Sequence, residues 1–311
     1  MMELIRGLHN LSSRHQGCVA TIGNFDGVHL GHQAVLGQLA EKADEFCAPT
    51  TVIIFEPQPQ EYFAADVVVP RLTRLREKLL ALRRFSVDRV LCLPFNQSFA
   101  ELSAEQFIER ILLDGLAVRY LVVGDDFRFG AGRRGDFAML QAAGERHGFQ
   151  VARMHTFALG GERVSSTRIR QALAQGEMKQ AEQLLGRPYR MCGRVAHGDK
   201  RGRTIGFPTA NIHLHRKASP LSGVFAIELF GIDGEPWHGV ANVGCRPTVE
   251  GLRPLLEAHL FDFTGDLYGR HVCVNFLHKI REEQRFACFD DLKQQILLDA
   301  QSAREFFNGN D

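Results

Sequence analysis

Hydrophobic and polar positions follow two different patterns along the chain, and the change falls near residue 187. Before it, short apolar runs alternate with longer stretches in which apolar residues recur every three or four positions. The predicted strands are 18–24, 51–55, 88–93, 119–123 and 149–155, and the predicted helices are 31–46, 72–84, 103–114, 136–147, 167–175 and 177–185. Near-continuous apolar strands that alternate with helices favour a parallel sheet covered on both faces. We therefore predict a doubly wound α/β domain over residues 1–186.

The second pattern begins after Arg187-Pro188, a pair that disfavours continuation of the preceding helix. Short β-rich stretches then follow one another, separated by Gly, Pro or Asp, with no helix between them. The predicted strands are 190–197, 223–231, 236–243, 254–261 and 271–278, followed by a helix over 289–307. Strands in this arrangement predict a small antiparallel β-barrel with a C-terminal helix, over residues 187–311.

Composition narrows the classes of partner. The formal net charge of +1, from 37 Lys and Arg against 36 Asp and Glu, gives no indication of a nucleic-acid partner. No apolar run approaches the roughly 20 residues that span a bilayer, and charged residues interrupt the first 16 positions, so we expect neither a membrane segment nor a signal peptide. Seven scattered cysteines without a C-x-x-C pair predict free, mostly buried thiols in a reducing cytoplasm. The oligomeric state stays open.

A glycine- and histidine-rich run lies between the first predicted strand and the first long helix. It reads Gly23, Asn24, Phe25, Asp26, Gly27, Val28, His29, Leu30, Gly31 and His32. Free N–H groups and the helix dipole at a helix start favour an anion, and glycines allow close backbone approach. Two histidines three residues apart fall on one side of the first turn. The run predicts a phosphate site. The alternatives are two polar residues without a ligand, or a zinc site that lacks a third ligand nearby in sequence.

The sequence His29-Leu30-Gly31-His32 resembles the HxGH signature of the nucleotidylyltransferase superfamily, whose members attack the α-phosphate of ATP. A second signature of that family is matched by Ser165-Ser166-Thr167-Arg168-Ile169-Arg170, at the start of another predicted helix. The resemblance implies that His29 and His32 stabilise the α-phosphate transition state. It also implies that Ser166, Thr167 and Arg170 bind the ATP phosphates.

Two further segments resemble the same family. Gly124-Asp125-Asp126-Phe127-Arg128-Phe129-Gly130 implies that Asp126 contacts the nucleotide or its metal and that Phe129 stacks on a flavin ring. The alternatives are a turn role for Asp126 and core packing for Phe129. Phe55-Glu56-Pro57-Gln58-Pro59 implies that Pro57 and Pro59 shape a loop against the flavin, or else form a rigid surface turn. Gln58 stands where relatives often have His, which leaves any acid–base role there in doubt.

A second phosphate-binding segment opens the predicted barrel, because glycines, basic residues and hydroxyls occur together there. Thr209 and Asn211 lie two residues apart and therefore face the same way in an extended segment. Oxygen ligands at that spacing suit Mg²⁺ bridged to ATP phosphates, although hydrogen bonding at a strand edge is the alternative. The candidate ATP-binding residues are Gly198, Gly202, Arg203, Thr204, Gly206, Pro208, Thr209 and Asn211.

This segment resembles the GRxxGFPTAN motif of riboflavin kinases, and the later stretches Ala241–Gly244 and Leu256–His259 extend the resemblance. With the first half included, nearly the whole chain resembles a bacterial bifunctional riboflavin kinase/FAD synthetase. The resemblance implies that Glu257 is the general base for the ribityl hydroxyl, with a structural salt bridge as the alternative. His259 shares its strand face and is expected to play a supporting role.

The family implies two ATP-dependent reactions with Mg²⁺. The barrel would convert riboflavin to FMN, and the α/β domain would join FMN to AMP, giving FAD and pyrophosphate. Flavins are then substrates and products, with no nucleic-acid or membrane partner. Two rival hypotheses remain: an adenylyltransferase for another nucleotide with a regulatory barrel, and a flavin carrier or sensor that does not consume ATP.

Overall fold

The computed structural model describes residues 2–64, 68–154, 156–196, 207–248 and 251–309, and it divides into two compact units. The first unit comprises residues 1–69 and 73–165, and the second comprises residues 70–72 and 166–311. Each unit is described by itself below.

The first unit is built from strands that alternate with helices. Its strands are β1 Glu3–Arg6, β2 Val19–Ile22, β3 Thr50–Glu56, β4 Arg89–Pro94, β5 Tyr120–Gly124, β6 Gln150–Met154, β7 Ala158–Leu159 and β8 Glu162–Arg163. Its helices are α1 Leu30–Glu45, α2 Pro59–Phe63, α3 Leu75–Leu82, α4 Gln97–Ala100, α5 Ala104–Phe107 and α6 Phe137–His147, and α5 continues as a π-helix over Ile108–Gly115.

Six parallel strands form the main sheet of this unit, in the order β1-β4-β3-β2-β5-β6. The order confirms the predicted doubly wound parallel sheet, although β1 lies outside the predicted strands. After β2 the chain extends the sheet to one side through β3 and β4, and it then returns to place β5 on the other side of β2. Ligands of such sheets bind beyond the carboxyl ends of the strands at this reversal. The loops after β2 and β5 are therefore the candidate ligand loops.

The core of the first unit lies on both faces of the sheet. Along β3, Val52 and Ile54 belong to one apolar cluster, whereas Ile53 and Phe55 belong to the other. The alternation follows from the two-residue period of a strand, and burial on both faces explains why the strands are almost entirely apolar.

The second unit contains two helices, a closed barrel and a final helix. Its elements are α7 Ser166–Gln175, α8 Met178–Leu185, β9 Tyr189–Ala196, β10 Ala210–His213, β11 Gly223–Phe230, β12 Trp237–Thr248, β13 Gly251–Leu260, β14 His271–Arg281 and α9 Phe289–Asn308. The barrel order is β10-β13-β12-β11-β14-β9, with every neighbouring pair antiparallel. The antiparallel barrel and its C-terminal helix are as predicted, although β10 lies outside the predicted strands.

Helix α9 covers one outer face of the barrel. Ala300 and Ala303 pack in one cluster with Val224, Val240 and Phe261. Next to this cluster, the Arg281 guanidinium donates to both carboxylate oxygens of Asp299 at 2.8 and 2.7 Å. The small alanines let the helix approach the strands closely, and the ion pair joins α9 to β14.

The division into units places α7 and α8 with the barrel, whereas the predicted domain boundary lies after residue 186. That boundary stays a prediction, because a division by compactness does not identify which residues each activity needs. Among the described residues, no helix is both long and apolar enough to cross a membrane.

The expectation of free, mostly buried thiols is wrong. Cys192 and Cys273 form a disulfide across paired strands β9 and β14, with their Cα atoms 4.0 Å apart. Of the free cysteines, Cys18 and Cys92 are buried and three are exposed, namely Cys47, Cys245 and Cys288. The pairing could not be predicted, because the two residues are 81 positions apart in sequence and only the barrel register brings them together.

Candidate active sites

The loop between β2 and α1 has an unusual backbone. Phe25, Gly27 and Val28 have φ angles of 47°, 85° and 43°. Positive φ is ordinary for glycine but strained for a β-branched residue such as Val28. Strained conformations of this kind concentrate at functional sites, where surrounding contacts maintain them. The positive φ angles therefore make this loop a candidate ligand-binding loop.

His29 and His32 lie side by side at the start of α1. His29 is the N-cap, and its Nδ1 accepts a hydrogen bond from the backbone N–H of His32 at 3.3 Å. The two rings stack with centroids 3.6 Å apart. Because Nδ1 of His29 is an acceptor, the neutral ring carries its proton on Nε2, where it is a donor. The pair therefore presents a hydrogen-bond donor at the helix end that already favours an anion.

His32 is held in its neutral form. Burial lowers its pKa well below the ordinary value, and the nearby His29 and Lys78 lower it further. Its Nδ1 atom is buried and has no hydrogen-bond partner in the described part of the chain. A neutral imidazole with an unused ring nitrogen is suited to bind a polar ligand group rather than to act as a fixed cation.

Asp26 faces away from solvent. Its side chain is 1% exposed, and Oδ1 accepts hydrogen bonds from the backbone N–H and the hydroxyl of Thr73 at 2.9 and 3.1 Å. The carboxylate thus has a structural partner within the protein. Its predicted contact with ATP stays a prediction, as do those of Gly23 and Asn24.

The second nucleotide signature opens α7 and belongs to the second unit. Ser166 and Thr167 occupy the first turn of the helix, as predicted from the sequence. Nε of Arg170 donates to the carbonyl of Pro70 at 2.8 Å, which orients the guanidinium. Their predicted contacts with the ATP phosphates stay predictions.

The loop after β5 is tied to the hairpin formed by β7 and β8. Asp126 forms an ion pair with Arg163 at 3.0 Å, and both side chains are more than half exposed. Asp125 accepts hydrogen bonds from the backbone and hydroxyl of Thr156 at 2.9 and 3.0 Å. An exposed ion pair of this kind contributes little stability, so Asp126 is available to exchange its partner for a ligand.

Phe129 lies inside the core rather than on an open surface. It is 5% exposed and packs between the rings of Phe107 and Phe127, with centroids 5.1 and 5.6 Å away. A Cβ placed on Gly135 would lie 2.6 Å from the Phe129 ring, so the packing is tight. These contacts are those of a core residue, and the predicted stacking of Phe129 on a flavin stays a prediction.

An open aromatic surface lies nearby in the same unit. Phe63 is 70% exposed and Tyr62 is 36% exposed, and both rings contact Phe95 in edge-to-face geometry, with centroids 5.6 and 5.4 Å away. Phe95 in turn contacts Phe55 at the end of β3 and Phe99 on α4. Sequence reasoning missed Tyr62 and Phe63, although their position directly after Pro57-Gln58-Pro59 was a signal.

The two prolines shape the start of α2. Pro57 is exposed and follows a cis peptide bond, and Pro59 occupies the first position of the helix. Gln58 between them is 4% exposed, and its backbone N–H donates to Glu61 at 2.9 Å. The arrangement fits a rigid turn that leads to the Tyr62–Phe63 surface, and a flavin contact by Pro57 and Pro59 stays a prediction.

In the barrel, three polar residues form one row across neighbouring strands. Asn211 on β10 pairs with Glu257 on β13, which pairs on its other side with Asn242 on β12. Directly paired residues project to the same face of a sheet. The residues on either side of each are buried apolar ones, such as Leu256 and Ala258, so the row lies on the opposite face from the barrel interior. This juxtaposition places a carboxylate between two amides.

A cavity near the start of β10 includes Thr209 in its lining, but none of the three row residues contributes to it. The lining residues are Val195, Pro208, Thr209, Ala210, Ala258, Leu260, Phe263, Gly265, Asp266, Leu267 and Tyr268. The other predicted residues of this motif, namely Gly198, Gly202, Arg203, Thr204 and Gly206, lie outside the described residues.

His259 supports the segment that leads into this site. Its Nδ1 donates to the carbonyl of Pro208 at 2.9 Å, and its ring contacts Phe207 with centroids 4.7 Å apart. Burial lowers the pKa of His259, with the charge of Arg304 acting in the same direction. The neutral ring thus fixes the backbone next to Thr209, in agreement with a supporting role.

Comparison with known proteins identifies the family. Residues 11–168 match the FAD synthetase family model, and residues 185–307 match the riboflavin kinase model. Bifunctional riboflavin kinase/FMN adenylyltransferases from Escherichia coli K12 and Haemophilus influenzae are 56% and 54% identical over 307 residues. The alignment with the Escherichia coli protein covers 98% of both chains. The alignment with the Haemophilus influenzae protein covers 99% of this chain and 100% of the relative. The chain belongs to the bifunctional riboflavin kinase/FMN adenylyltransferase family.

A solved structure has the same fold over the full length. A crystal structure described as a macrolide-efflux protein from Streptococcus pneumoniae superposes with a TM-score of 0.83 at 30% identity. The superposition covers 97% of this chain and 99% of that one. The family resemblance predicted from the motifs is thus confirmed along the whole chain, as is the transferase class.

The candidate site residues differ in whether a local sequence motif contains them. The histidine pair, the α7 signature and the polar barrel residues were predicted because each lies in a short local motif. Asn242 was quoted only as part of a motif, and its place beside Glu257 required the β12–β13 register. Thr73 lies in no motif. Only its hydrogen bonds to Asp26 and Gly27 show that it contacts the loop between β2 and α1.

Proposed function

We propose that the two activities of this family reside in the two sites just described. The chain is a transferase that converts riboflavin to FMN and FMN to FAD, each step at the expense of ATP. In our proposal residues 1–186 carry adenylyl transfer, and residues 187–311 carry the kinase reaction. The cross-strand register of Asn211, Glu257 and Asn242 is the single observation that supports this assignment most strongly, since a carboxylate suited to act as a base is paired with two amides suited to bind ligand groups.

In the kinase reaction, the ribityl 5′-hydroxyl attacks the γ-phosphorus of ATP. The new P–O bond forms as the bond from that phosphorus to the β,γ-bridging oxygen breaks, and ADP leaves. Glu257 accepts the hydroxyl proton, a role that contributes about 10²–10⁴-fold when the carboxylate is well placed. Asn211 and Asn242 flank the carboxylate and orient the reacting groups.

In adenylyl transfer, a phosphate oxygen of FMN attacks the α-phosphorus of ATP. The bond to the α,β-bridging oxygen breaks, and pyrophosphate leaves. Nε2–H of His29 donates to an α-phosphate oxygen as negative charge develops there. His32, stacked on His29 and neutral, fixes the ring of His29 and offers a further polar contact. Arg170, Ser166 and Thr167 bind the phosphates that leave as pyrophosphate.

Mg²⁺ is part of the proposal for the kinase site. Thr209 and Asn211 lie two residues apart in an extended segment, so they offer a hydroxyl and an amide oxygen, and oxygen donors are the ligands that Mg²⁺ prefers. The described residues include no group of three or more His, Cys, Asp or Glu that could hold a metal. That composition fits a cation bound mainly by ATP phosphates and water, whose charge would neutralise the transferring phosphoryl group.

The flavin ring of FMN is proposed to bind at the exposed pair Tyr62 and Phe63. A flat apolar ligand favours aromatic walls, and these rings rest on the fixed ring of Phe95. Exposed aromatic surface of this kind is otherwise unfavourable in water. We also infer a cytoplasmic location, because ATP is the co-substrate of both steps.

A time course tests the function as a whole. The purified chain is incubated with riboflavin, ATP and Mg²⁺, and the flavins are resolved by chromatography. FMN that appears first and FAD that follows would support both assignments. FMN alone would support the kinase assignment and exclude adenylylation of the flavin. If riboflavin binds but is not converted, and no pyrophosphate is released, the carrier or sensor hypothesis would be supported.

A further inference from the structure

The strained loop before His29 needs an external support. Three of the four residues from Phe25 to Val28 have positive φ, and two of these three are not glycine. Such conformations persist only where surrounding contacts determine them. The position of His29 follows directly from this loop, because His29 is the next residue and caps α1.

Thr73 supplies that support from a distant part of the sequence. Its backbone N–H and its hydroxyl both donate to Oδ1 of Asp26, at 2.9 and 3.1 Å. The same hydroxyl oxygen accepts the backbone N–H of Gly27 at 3.0 Å. The hydroxyl therefore joins a carboxylate to the adjacent backbone amide at the centre of the strained stretch. Asp26 and Thr73 are 1% and 8% exposed, so water cannot readily replace these bonds.

The loop in turn positions both histidines. The carbonyl of Val28 accepts a hydrogen bond from the side chain of Gln33 at 2.9 Å, and the ring of Phe25 lies against that of His32, with centroids 4.9 Å apart. A shift of Gly27 would therefore be transmitted to His29 and His32. We propose that Thr73 is a positioning residue for adenylyl transfer, which holds the Phe25–Val28 loop so that His29 meets the α-phosphate.

The protein contains a matched pair that serves as a control. At the start of β3, the backbone N–H and hydroxyl of Thr50 both donate to Oδ2 of Asp88, at 2.9 and 3.0 Å. The Thr50 hydroxyl oxygen accepts the backbone N–H of Asp88 at 2.7 Å. The pattern resembles that at Thr73, except that the Thr50 hydroxyl also lies 3.0 Å from the carbonyl oxygen of Ser86, a second possible acceptor. However, Thr50 begins β3, which is parallel to β2. It therefore lies at the amino ends of the strands, whereas the loop after β2 lies at their carboxyl ends.

The inference rests on the proposed function, and it is tested with T73V, T73S and T50V in the full chain. Valine keeps the shape of threonine but removes the hydroxyl. We expect T73V to reduce kcat/KM for FAD formation from FMN by about 10- to 100-fold, since small misplacements of reacting groups have effects of this size. T73S and T50V should remain within about 3-fold of the unchanged chain. Riboflavin phosphorylation and the thermal midpoint relative to T50V serve as internal controls.

Hydrogen exchange adds a readout that activity alone does not give. In T73V, the backbone amide of Gly27 loses its acceptor, so we expect faster exchange in the peptide that contains residues 23–28. In T50V the same peptide should exchange at the normal rate. Faster exchange that is accompanied by lost FAD formation would support positioning through the loop.

Several results would overturn the inference. These are normal kinetics in T73V, an equal loss in T50V, or a loss in T73S as large as that in T73V. Should T73V not fold, T73A takes its place, because alanine also removes the hydroxyl, and normal FAD formation in folded T73A would overturn the inference. If His29→Ala itself leaves FAD formation intact, the proposed site fails. If His29→Ala abolishes it and T73V does not, only the role of Thr73 fails.

Discussion

The two candidate sites are built in different ways. In the first unit, His29 and His32 follow a loop whose backbone is strained at Phe25 and Val28. In the barrel, Asn211 and Glu257 lie on regular antiparallel strands, where the ladder hydrogen bonds fix their alignment. A site on a strained loop depends on particular contacts made by remote side chains. A site on a β-ladder depends on register, which many hydrogen bonds determine together.

This difference predicts how each site fails. Changes outside the motifs should damage the loop-based site through Thr73 and Asp26, whereas the barrel site should be sensitive mainly to its own polar side chains. Variants of both sites test this difference.

The largest effect is expected from Glu257→Gln. Removal of the base should reduce riboflavin phosphorylation by about 10²–10⁴-fold, while supplied FMN is still converted to FAD. Flavin chromatography with each substrate measures both rates. Glu228→Gln is the matched control, because Glu228 is another partly buried strand carboxylate of the barrel, bound to Asn275 at 3.1 Å. Normal phosphorylation in Glu257→Gln would reject the base assignment.

A second large effect is expected from His29→Ala. Loss of the donor to the α-phosphate should lower the rate of FAD formation by about 10²–10³-fold, and FMN should accumulate from riboflavin. Pyrophosphate release measures the step directly. His147→Ala, at an exposed position on α6, should leave both activities unchanged. Simultaneous loss of both activities in His29→Ala would contradict independent sites.

A moderate effect is expected from Phe63→Ala. If the exposed ring stacks on the flavin, the KM for FMN should rise by about 3- to 10-fold, because aromatic pairs contribute about 0.5–1.5 kcal/mol. The KM for ATP in the same reaction and the free energy of unfolding should hardly change, since Phe63 is 70% exposed. Phe289→Ala is the control, a 53% exposed aromatic residue at the start of α9. An unchanged KM for FMN would place the flavin elsewhere.

The smallest effect concerns pH. The folded protein lowers the pKa of His32, chiefly through burial, so the unfolded chain binds a proton more readily below its ordinary pKa of about 6.5. The free energy of unfolding should therefore be highest above that pH and should decrease as the pH falls below it. Urea unfolding at several pH values measures the slope. His32→Gln should flatten the slope, and an unchanged slope would contradict a neutral buried His32.

Much of the fold could be predicted because its signals are local. The alternation of apolar runs and helical patterns located β3, α6 and five of the six barrel strands to within a few residues, whereas β10 was missed. The strand β1 was missed because Glu3–Arg6 is short and polar at both ends, so only its pairing with β4 defines it. Phe129 was expected at the ligand because it lies in a motif, yet its burial at 5% depends on the rings that surround it.

Periodicity and short motifs are properties of neighbouring positions, so they suffice to predict the two architectures and the family and to propose which residues bind phosphate. Four features depend instead on the tertiary fold. Asp26 bonds to Thr73, Cys192 bonds to Cys273, Glu257 lies between Asn211 and Asn242, and Phe63 is exposed. The physical reason is common to all four. Each is a contact, or the lack of one, between residues far apart in the chain, and its free energy depends on register and packing that no local pattern specifies.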